Sequence, residues 1–460
     1  MIFLIRAVSD ALDGRADYYD VRILHVTTTS IEMKNGGVTR AVAGTESGAC
    51  VRVLFRGAWG FASAPESGKA ALGEAADRAA RIAKGISETV GEKSELADVE
   101  PAVDDVTVPM KKNFMDVPIG EKVDLIRAAH DMIKKYEFVT NDLITYKDTY
   151  TVGELYSSEG ASVITRMPRV FWQLELAGRK DGQAQSVRRR IGRTSGLEAL
   201  DDDAPLKMAD SAVASLIALL NGKSPPSGPM PVIADPDLAG VFAHEAVGHA
   251  AEADLVATGN SCFAGRIGEQ IGSDMVTIRD DATLPGMNGS MVYDDEGVKA
   301  GNKVLIRNGI LNDFIQSRET AAKLGMAPNG GARAESYHGR PLVRMSNTLF
   351  EAGDRDFKEM IEGVRLGVYA KGTRGGQVNT AQGFFQFNAQ ESYLIENGEI
   401  TKPLRDVSLS GRTLDILKLI DAVGADADTA GVGICGKGQQ VPVGQGGPHI
   451  RISRCVVGGR

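Results

Sequence analysis

The stretch NGKSPPSGPM at residues 221–230 is the feature that most constrains how this chain of 460 residues folds. Proline, glycine and serine crowd there, between an apolar helix-like run at 211–220 and a strand-like segment at 231–235. Such a cluster interrupts regular structure and is typical of a linker. We therefore expect an N-terminal domain of residues 1–222 and a C-terminal domain of residues 231–460, because a chain this long can bury two cores.

The N-terminal part alternates between strand and helix patterns. Strand-like alternation at 19–34 and 38–44 flanks the sequence Asn-Gly-Gly, which is a hairpin turn signal. Apolar residues at helical spacing follow at about 66–86 and 118–136, and strand patterns return from about 138 to 192. This order predicts an α+β region whose antiparallel sheets are built mainly from hairpins.

The C-terminal part shows one clear helix near residue 240 and then mostly strand patterns. The segments LIRNGIL at 305–311 and LIENGEI at 394–400 each place Asn-Gly between alternating apolar flanks. Both are predicted hairpins. We expect a β-rich domain in which the helix carries the functional residues, so the fold class of the whole chain is α+β.

Charge and cysteine content exclude several function classes. The formal net charge is −8, so nothing in the overall balance attracts nucleic acid or an anionic membrane. Four cysteines in 460 residues are too few for a disulfide scaffold. The apolar start of MIFLIRAVSD is too short for the core of a signal peptide, and no window is apolar enough to span a bilayer. We expect a soluble, cytoplasmic protein.

Residues 244–249 read His-Glu-Ala-Val-Gly-His, one residue longer between the histidines than the zinc-peptidase motif H-E-x-x-H. On a regular α-helix, positions i and i+5 lie about 140° apart, so the two imidazoles do not converge. Three interpretations remain open. The helix carries a π-bulge or a break near Gly248, or Glu245 and His249 are the ligands of a regular helix, or both histidines pack in a core without metal.

A catalytic zinc ion usually takes three protein ligands and leaves one position for water. The third ligand must therefore come from elsewhere in the chain. Cys435 lies in a glycine-dense tract, where backbone freedom favours approach to another element, although a single cysteine is more often a small buried hydrophobe. The candidates are Cys262, Cys435, Cys455, His338 and His449.

Several long motifs resemble the TldD/PmbA family of metallopeptidases. They are DLAGVFAHEAVGHAAEAD at 237–254 and GVGICGKGQQVPVGQGGP at 431–448, supported by VRVLFRGAWGFAS at 51–63, YDDEGVKAG at 293–301, GRPLVRMSNT at 339–348 and ESYLIENGEITKPLRDVSLSG at 391–411. The resemblance extends over nearly the whole chain. Because this chain bears the H-E-x-x-x-H motif, it is similar to the catalytic TldD-type members rather than to the PmbA/TldE-type partners that lack it.

The resemblance implies one Zn²⁺ per catalytic subunit, held by His244, His249 and Cys435, with Glu245 as general base. It implies a peptidase that takes unfolded or extended peptides into a cleft between two subunits, as a homodimer or as a heterodimer with a TldE/PmbA-type subunit. Within GRPLVRMSNT we predict that Arg344 and Asn347 line the cleft, with core or surface-strand roles as the alternative. The rival interpretation is a non-catalytic peptide-binding or modulator subunit whose metal is structural or absent.

Overall fold

The structure is a computed structural model that describes residues 2–459. Up to the linker, the chain forms one sheet. Its strands are β1 (Tyr18–Lys34), β2 (Gly37–Phe55), β3 (Ala58–Ala64), β4 (Val103–Thr107), β5 (Val139–Ser157), β6 (Ser162–Lys180) and β7 (Gln183–Arg193). They lie in the order β3-β2-β1-β5-β6-β4, with β7 also paired to β6. Neighbours run antiparallel except β4, which pairs in parallel with β6.

One face of this sheet packs on helices, which are α1 (Ile2–Leu12), α2 (Lys69–Ser87), α3 (Ile119–Ile133) and α4 (Ala204–Leu220). Alanines along one stripe of α2 are buried against β1–β3. The helices α3 and α4 cover β5–β7, where Trp172 is fully buried. The helix patterns read from the sequence therefore correspond to α2, α3 and α4, whose apolar stripes face the sheet.

The remaining strands are β8 (Gly228–Ala234), β9 (Ile278–Asp281), β10 (Asn302–Arg307), β11 (Ile310–Leu311), β12 (Ala332–Arg333), β13 (Leu342–Val343), β14 (Asn347–Phe350), β15 (Leu366–Asn379), β16 (Phe384–Glu396), β17 (Glu399–Leu404), β18 (Ser408–Arg412), β19 (Ile420–Val423), β20 (Asp428–Gly436), β21 (Gln440–Gly447) and β22 (Ile450–Gly458). The short helices between them are α5 (Pro236–Phe242), α6 (Ala253–Ala257), α7 (Arg318–Leu324), α8 (Phe357–Glu362) and α9 (Thr413–Leu419).

These strands form two larger sheets. The order β15-β8-β22-β18-β16 closes on itself because β15 also pairs with β16, and β17 and β19 attach to this ring. A six-stranded sheet has the order β11-β10-β9-β14-β21-β20. The helix α5 lies between these two sheets. The aromatic ring of Phe242 is 5.3 Å from that of Phe385 in the closed sheet and 6.2 Å from that of Phe350 in the six-stranded sheet. The core therefore forms around α5.

The three predicted Asn-Gly hairpins are confirmed. Lys34 and Gly37 close the β1–β2 turn, and the residues between them, Asn35 and Gly36, have φ of 49° and 78°. The β10–β11 and β16–β17 turns repeat this conformation. Two successive positive φ values define the type I′ turn, which asparagine and glycine tolerate best. The α+β class is likewise confirmed.

The two parts of the chain are joined by ion pairs of buried arginines as well as by residues 221–230. The guanidinium of Arg52 on β2 pairs with Asp20 at 2.6 Å and with Glu296 of the second part at 3.1 Å. Arg318 reaches back to Glu159 at 2.7 Å. The division into two domains stays a prediction. Within residues 2–459 no helix has both the length and the apolar character needed to cross a bilayer, and the cytoplasmic location stays a prediction too.

Candidate metal centre

The helix that carries HEAVGH is divided into segments of different pitch. Asp235 caps α5 by accepting a hydrogen bond from the Leu238 backbone N–H, and Pro236 occupies the first helical position, where proline is favoured. After Phe242 the backbone widens into a π-helical turn, Ala243–Gly248, and then tightens into a 3₁₀ turn, His249–Ala251. The helix is therefore bulged where the spacing of the histidines requires it.

The π-turn brings the two histidine rings together edge to face. The His249 backbone N–H donates to the His244 carbonyl, which is the i→i+5 bond that defines this turn. Because the extra residue is absorbed within the turn, the two imidazoles face the same side, with ring centroids 5.2 Å apart. Of the three interpretations left open by the sequence, the structure shows the π-bulge.

Glycine at position 248 allows this turn to lie directly on a neighbouring segment. A Cβ atom at Gly248 would be 2.0 Å from the Sδ atom of Met345, which is fully buried. Contacts that short do not occur between real atoms, so no larger residue fits without displacing Met345. The glycine thus sets how closely the histidine-bearing turn approaches the segment just before β14.

Cys435 completes the cluster from a distant part of the chain. The residue lies on β20, the outer strand of the six-stranded sheet, where it faces Val441 of β21. Its glycine-dense tract is thus a strand pair and not a loop. The Cys435 Sγ is 3.4 Å from His249 Nε2. One ligand atom from each of His244, His249 and Cys435 lies within 4.8 Å of the others.

The other candidates for a third ligand are engaged elsewhere. His449 contacts Asp426 at 2.6 Å and the Tyr369 hydroxyl at 3.0 Å. The His338 ring lies against Tyr337. Among the residues that the structure describes, the group of His244, His249 and Cys435 is the one cluster of three such side chains close enough to share an ion. The remaining two candidates, Cys262 and Cys455, are outside it.

The cluster favours a deprotonated sulfur. Burial raises the pKa of the Cys435 thiol, but hydrogen bonds from His244 and His249 outweigh burial and lower this pKa to about 5. Burial also lowers the pKa of His249, but the carboxylate of Glu252 and the sulfur of Cys435 together outweigh burial, so the pKa of His249 is raised well above its ordinary value. A thiolate is the form of cysteine that binds metals.

The donor set fits a zinc ion. Two imidazoles and a thiolate are borderline-to-soft donors of the kind that zinc takes in sites with one open position. The His244 Nδ1 is buried and has no hydrogen-bond partner in the described part of the chain. A buried polar atom without a partner is costly, so this imidazole is left under-satisfied by the described residues.

Glu245 lies next to the cluster on its open side. One carboxylate oxygen, Oε2, is 3.8 Å from His249 Nε2, and the side chain is 36% exposed. The two histidines, by contrast, are 3% exposed for His244 and half-buried for His249. Glu245 can therefore reach both the cluster and a molecule that arrives from solvent.

Arg344 and Asn347, the predicted substrate contacts, are both fully buried. Arg344 donates hydrogen bonds to the carbonyl oxygens of Gln439 and Cys435, at 2.7 and 2.6 Å. Asn347 donates to the Asp281 carbonyl and accepts from the Gly289 N–H. Neither side chain lines an open cleft, so the predicted contact with substrate would require the surrounding chain to open.

Sequence reasoning missed Glu252, which is fully buried beneath His249. Its Oε2 accepts a hydrogen bond from His249 Nδ1 at 2.9 Å. Its position three residues after His249 was the available signal, because side chains at i and i+3 on a helical segment are neighbours. Lys437, two residues beyond Cys435, lies 3.2 Å from the same carboxylate oxygen.

Three family models match this chain in succession. They describe PmbA/TldA metallopeptidase domain 1 at residues 19–83, the central domain at residues 112–220 and the C-terminal domain at residues 227–459. The third covers the whole of the candidate metal centre.

Curated relatives match over almost their full length. The chain is 42% identical to a metalloprotease of Methanothermobacter thermautotrophicus, covering 97% of each chain. It is 31% identical to the zinc metalloprotease TldD homolog of Saccharolobus solfataricus, covering 90% of this chain and 91% of the relative.

Solved structures of similar fold include a candidate modulator of DNA gyrase from Thermotoga maritima. Its TM-score is 0.81 at 23% identity, over 99% of both chains. TldE from Thermococcus kodakarensis gives a TM-score of 0.79 at 19% identity, over 99% of this chain and 100% of that one. At these identities the likeness concerns the fold alone.

Proposed function

This chain belongs to the PmbA/TldA metallopeptidase family, and from that membership we propose that it is a zinc-dependent peptidase acting on unfolded or extended peptides. The observation that carries the proposal is the convergence of His244, His249 and Cys435, with Glu245 beside them. One zinc ion per subunit would be held by the first three. The open side of the cluster, where Glu245 is partly exposed, would receive the substrate.

Zinc, when bound, polarises a peptide carbonyl and lowers the pKa of a water molecule to about 7. Glu245 is the general base of the proposed reaction. Its carboxylate accepts a proton from the attacking water and then delivers that proton to the leaving amine. Its closeness to His249 Nε2 keeps it within one water molecule of the reacting atoms. The thiolate of Cys435 donates more charge than an imidazole would, so we expect a slow enzyme.

The substrate class rests on the position of Cys435. It lies near the end of β20, and no other strand pairs with the outer side of β20 in the sheet that the structure describes. Ile434, the preceding residue, is 53% exposed. An extended peptide can add to such an edge through backbone hydrogen bonds, which depend little on the side chains of the peptide. This would place a peptide carbonyl beside the cluster with low side-chain specificity.

A cavity of about 740 Å³ offers room for such a peptide. It lies between the sheet of the first part, with Thr149 and Met167 on its wall, and the second part, where Ile434 and Gln440 line it. Its size is in the range of ligand-binding clefts. We propose that this cavity leads substrate to the edge of β20.

We further propose that the enzyme works as a dimer, either with a second copy or with a TldE/PmbA-type subunit that completes the cleft. The proposal rests on family membership and on the likeness in fold to TldE over nearly the whole chain. Light-scattering mass measurement of the purified chain tests it, alone and mixed with a TldE-type protein of the same organism. A monomer under both conditions contradicts it.

The decisive activity test uses a fluorogenic library of unstructured peptides and the variant Glu245→Gln. The variant should bind as much zinc as the wild type and lose cleavage by roughly 100-fold or more, since general-base removal typically costs 10²–10⁴. Glu269→Gln is the matched control, because Glu269 is exposed and pairs with Arg266 instead of the cluster. A zinc-loaded wild type that cleaves nothing would favour the modulator interpretation. Equal cleavage by wild type and Glu245→Gln would remove Glu245 from the mechanism.

A further inference from the structure

Glu252 is a buried carboxylate that contacts both the segment with the two histidines and the segment with Cys435. It follows the 3₁₀ turn His249–Ala251, and its backbone pairs with Ile315, so its position is anchored from a second segment. Its side chain is fully buried. A buried carboxylate is costly unless it is paired and hydrogen-bonded, so its neighbours decide what it does.

The first neighbour is His249. A carboxylate can only accept, so the 2.9 Å contact means that His249 Nδ1 carries the proton and donates it to Glu252 Oε2. Nε2 is then the nitrogen left to bind a metal, which would replace its proton, and it lies 3.4 Å from Cys435 Sγ. Glu252 thus selects the nitrogen that faces the cluster.

The second set of neighbours belongs to the segment that carries Cys435. Lys437 places its ammonium 3.2 Å from Glu252 and 2.7 Å from Asp254. Arg344 places its Nε 3.8 Å from Glu252 Oε1 and donates from another nitrogen to the Cys435 carbonyl. Both cations therefore tie the strand of Cys435 to the carboxylate that orients His249.

The arrangement pairs two carboxylates with two cations around a buried contact. Glu252 and Asp254 face Lys437 and Arg344, two negative charges against two positive ones. Arg344 and Glu252 are both fully buried, so water screens their attraction little. Loss of the carboxylate would leave two cations close to the place where a third positive charge, the metal, has to bind.

We propose that Glu252 is a positioning residue of the metal centre. It fixes the tautomer of His249 and, through Arg344 and Lys437, holds the strand of Cys435 at its place beside the π-turn. This rests on the proposed function, because it assumes that the cluster holds zinc. It also assigns Arg344 to the support of a ligand strand instead of to substrate.

The test is the zinc affinity of the purified chain, measured by chelator competition at constant pH. Glu252→Gln keeps an oxygen that can accept from His249 but removes the charge. We expect its zinc affinity to fall by 10- to 100-fold, the usual effect of losing such a partner. Glu391→Gln is the matched control: Glu391 is also a buried carboxylate, 5% exposed, but it contacts Ser215 and Tyr393. The zinc affinity of Glu391→Gln should stay within about threefold of that of the wild type.

The outcomes separate the two proposals. Tight zinc binding by the wild type with equal affinity in Glu252→Gln overturns the positioning role and leaves the proposed function standing. No zinc binding by the wild type overturns both. An equal loss in Glu252→Gln and Glu391→Gln also overturns the positioning role, because it reveals general destabilisation. If Glu252→Gln does not fold, Lys437→Gln replaces it, with Lys437→Arg expected to restore affinity; unchanged affinity in Lys437→Gln then contradicts the proposal.

Discussion

Replacing Gly248 by alanine should destabilise the helix that carries HEAVGH, although alanine favours helices. The residue has helical backbone angles, with φ −57° and ψ −52°. Propensity alone would therefore stabilise the folded state by roughly 0.5–1 kcal/mol. The new methyl group, however, would lie 2.0 Å from Met345 Sδ. Overpacking of this kind costs about 1–3 kcal/mol, so we expect a net loss of about 1–2 kcal/mol in the free energy of unfolding.

Urea unfolding of the metal-free protein measures this loss, and Gly73→Ala provides the control. Gly73 lies within α2, and a Cβ atom there would meet no heavy atom within 4 Å. The control should gain stability while Gly248→Ala loses it and also binds zinc more weakly, because the turn that holds His249 is displaced. If both variants gain stability and zinc affinity stays unchanged, the close packing on Met345 is wrong.

Met345→Ala extends the same test. Alone it should cost roughly 2–5 kcal/mol, since Met345 is fully buried. Combined with Gly248→Ala it should cost less than the sum of the two, by about 1 kcal/mol, because the shortened side chain makes room for the methyl group. Strict additivity would mean that the two side chains do not compete for the same space.

Three other perturbations follow from the same structure. Cys435→Ser should abolish tight zinc binding in chelator competition while the far-ultraviolet spectrum stays unchanged; retention of wild-type affinity would exclude sulfur as a ligand. Burial, and then a neighbouring carboxylate, raises the pKa of Asp235 to about 7. The folded state thus holds a proton that the unfolded state has lost, so stability falls as pH rises from about 4 to 7. Asp235→Asn keeps the cap and should flatten that decline in urea midpoints; an unchanged slope would assign the decline to other groups. Arg52→Ala should cost roughly 3–5 kcal/mol in urea unfolding, since it leaves Asp20 and Glu296 buried without their partner. A cost below about 1 kcal/mol would mean that water reaches this contact.

Local features of the fold could be predicted from the sequence because local chemistry determines them. Asn35 and Gly36 specify a turn with two positive φ values, and Asp235 with Pro236 specifies the start of a helix. The five-residue spacing of His244 and His249 requires a departure from regular helix geometry if both face one ion, and a π-turn provides it. These inferences need only the neighbours of each residue.

Features that depend on distant pairing could not be derived in this way. Cys435 reaches the histidines because β21, its hairpin partner, pairs in parallel with β14, and no local pattern specifies that choice. The burial of Arg344 has the same origin, since its hydrogen-bond partners lie in the β20–β21 turn and strand. The family resemblance pointed to Cys435 as the third ligand, whereas reasoning from the residues alone left five candidates for that position. Glu252 was within reach of local reasoning, but only its contact with Lys437 reveals that it joins two segments.

Zinc-edge X-ray absorption of the purified, zinc-loaded chain tests the central claim most directly. The proposed centre predicts one sulfur ligand at about 2.3 Å and two imidazole nitrogens at about 2.0–2.1 Å, with a light atom in the remaining position. The sulfur contribution should vanish in Cys435→Ser, and one imidazole should vanish in His244→Ala. A spectrum without sulfur, or one that these substitutions leave unchanged, would contradict a zinc centre built from the π-turn and β20.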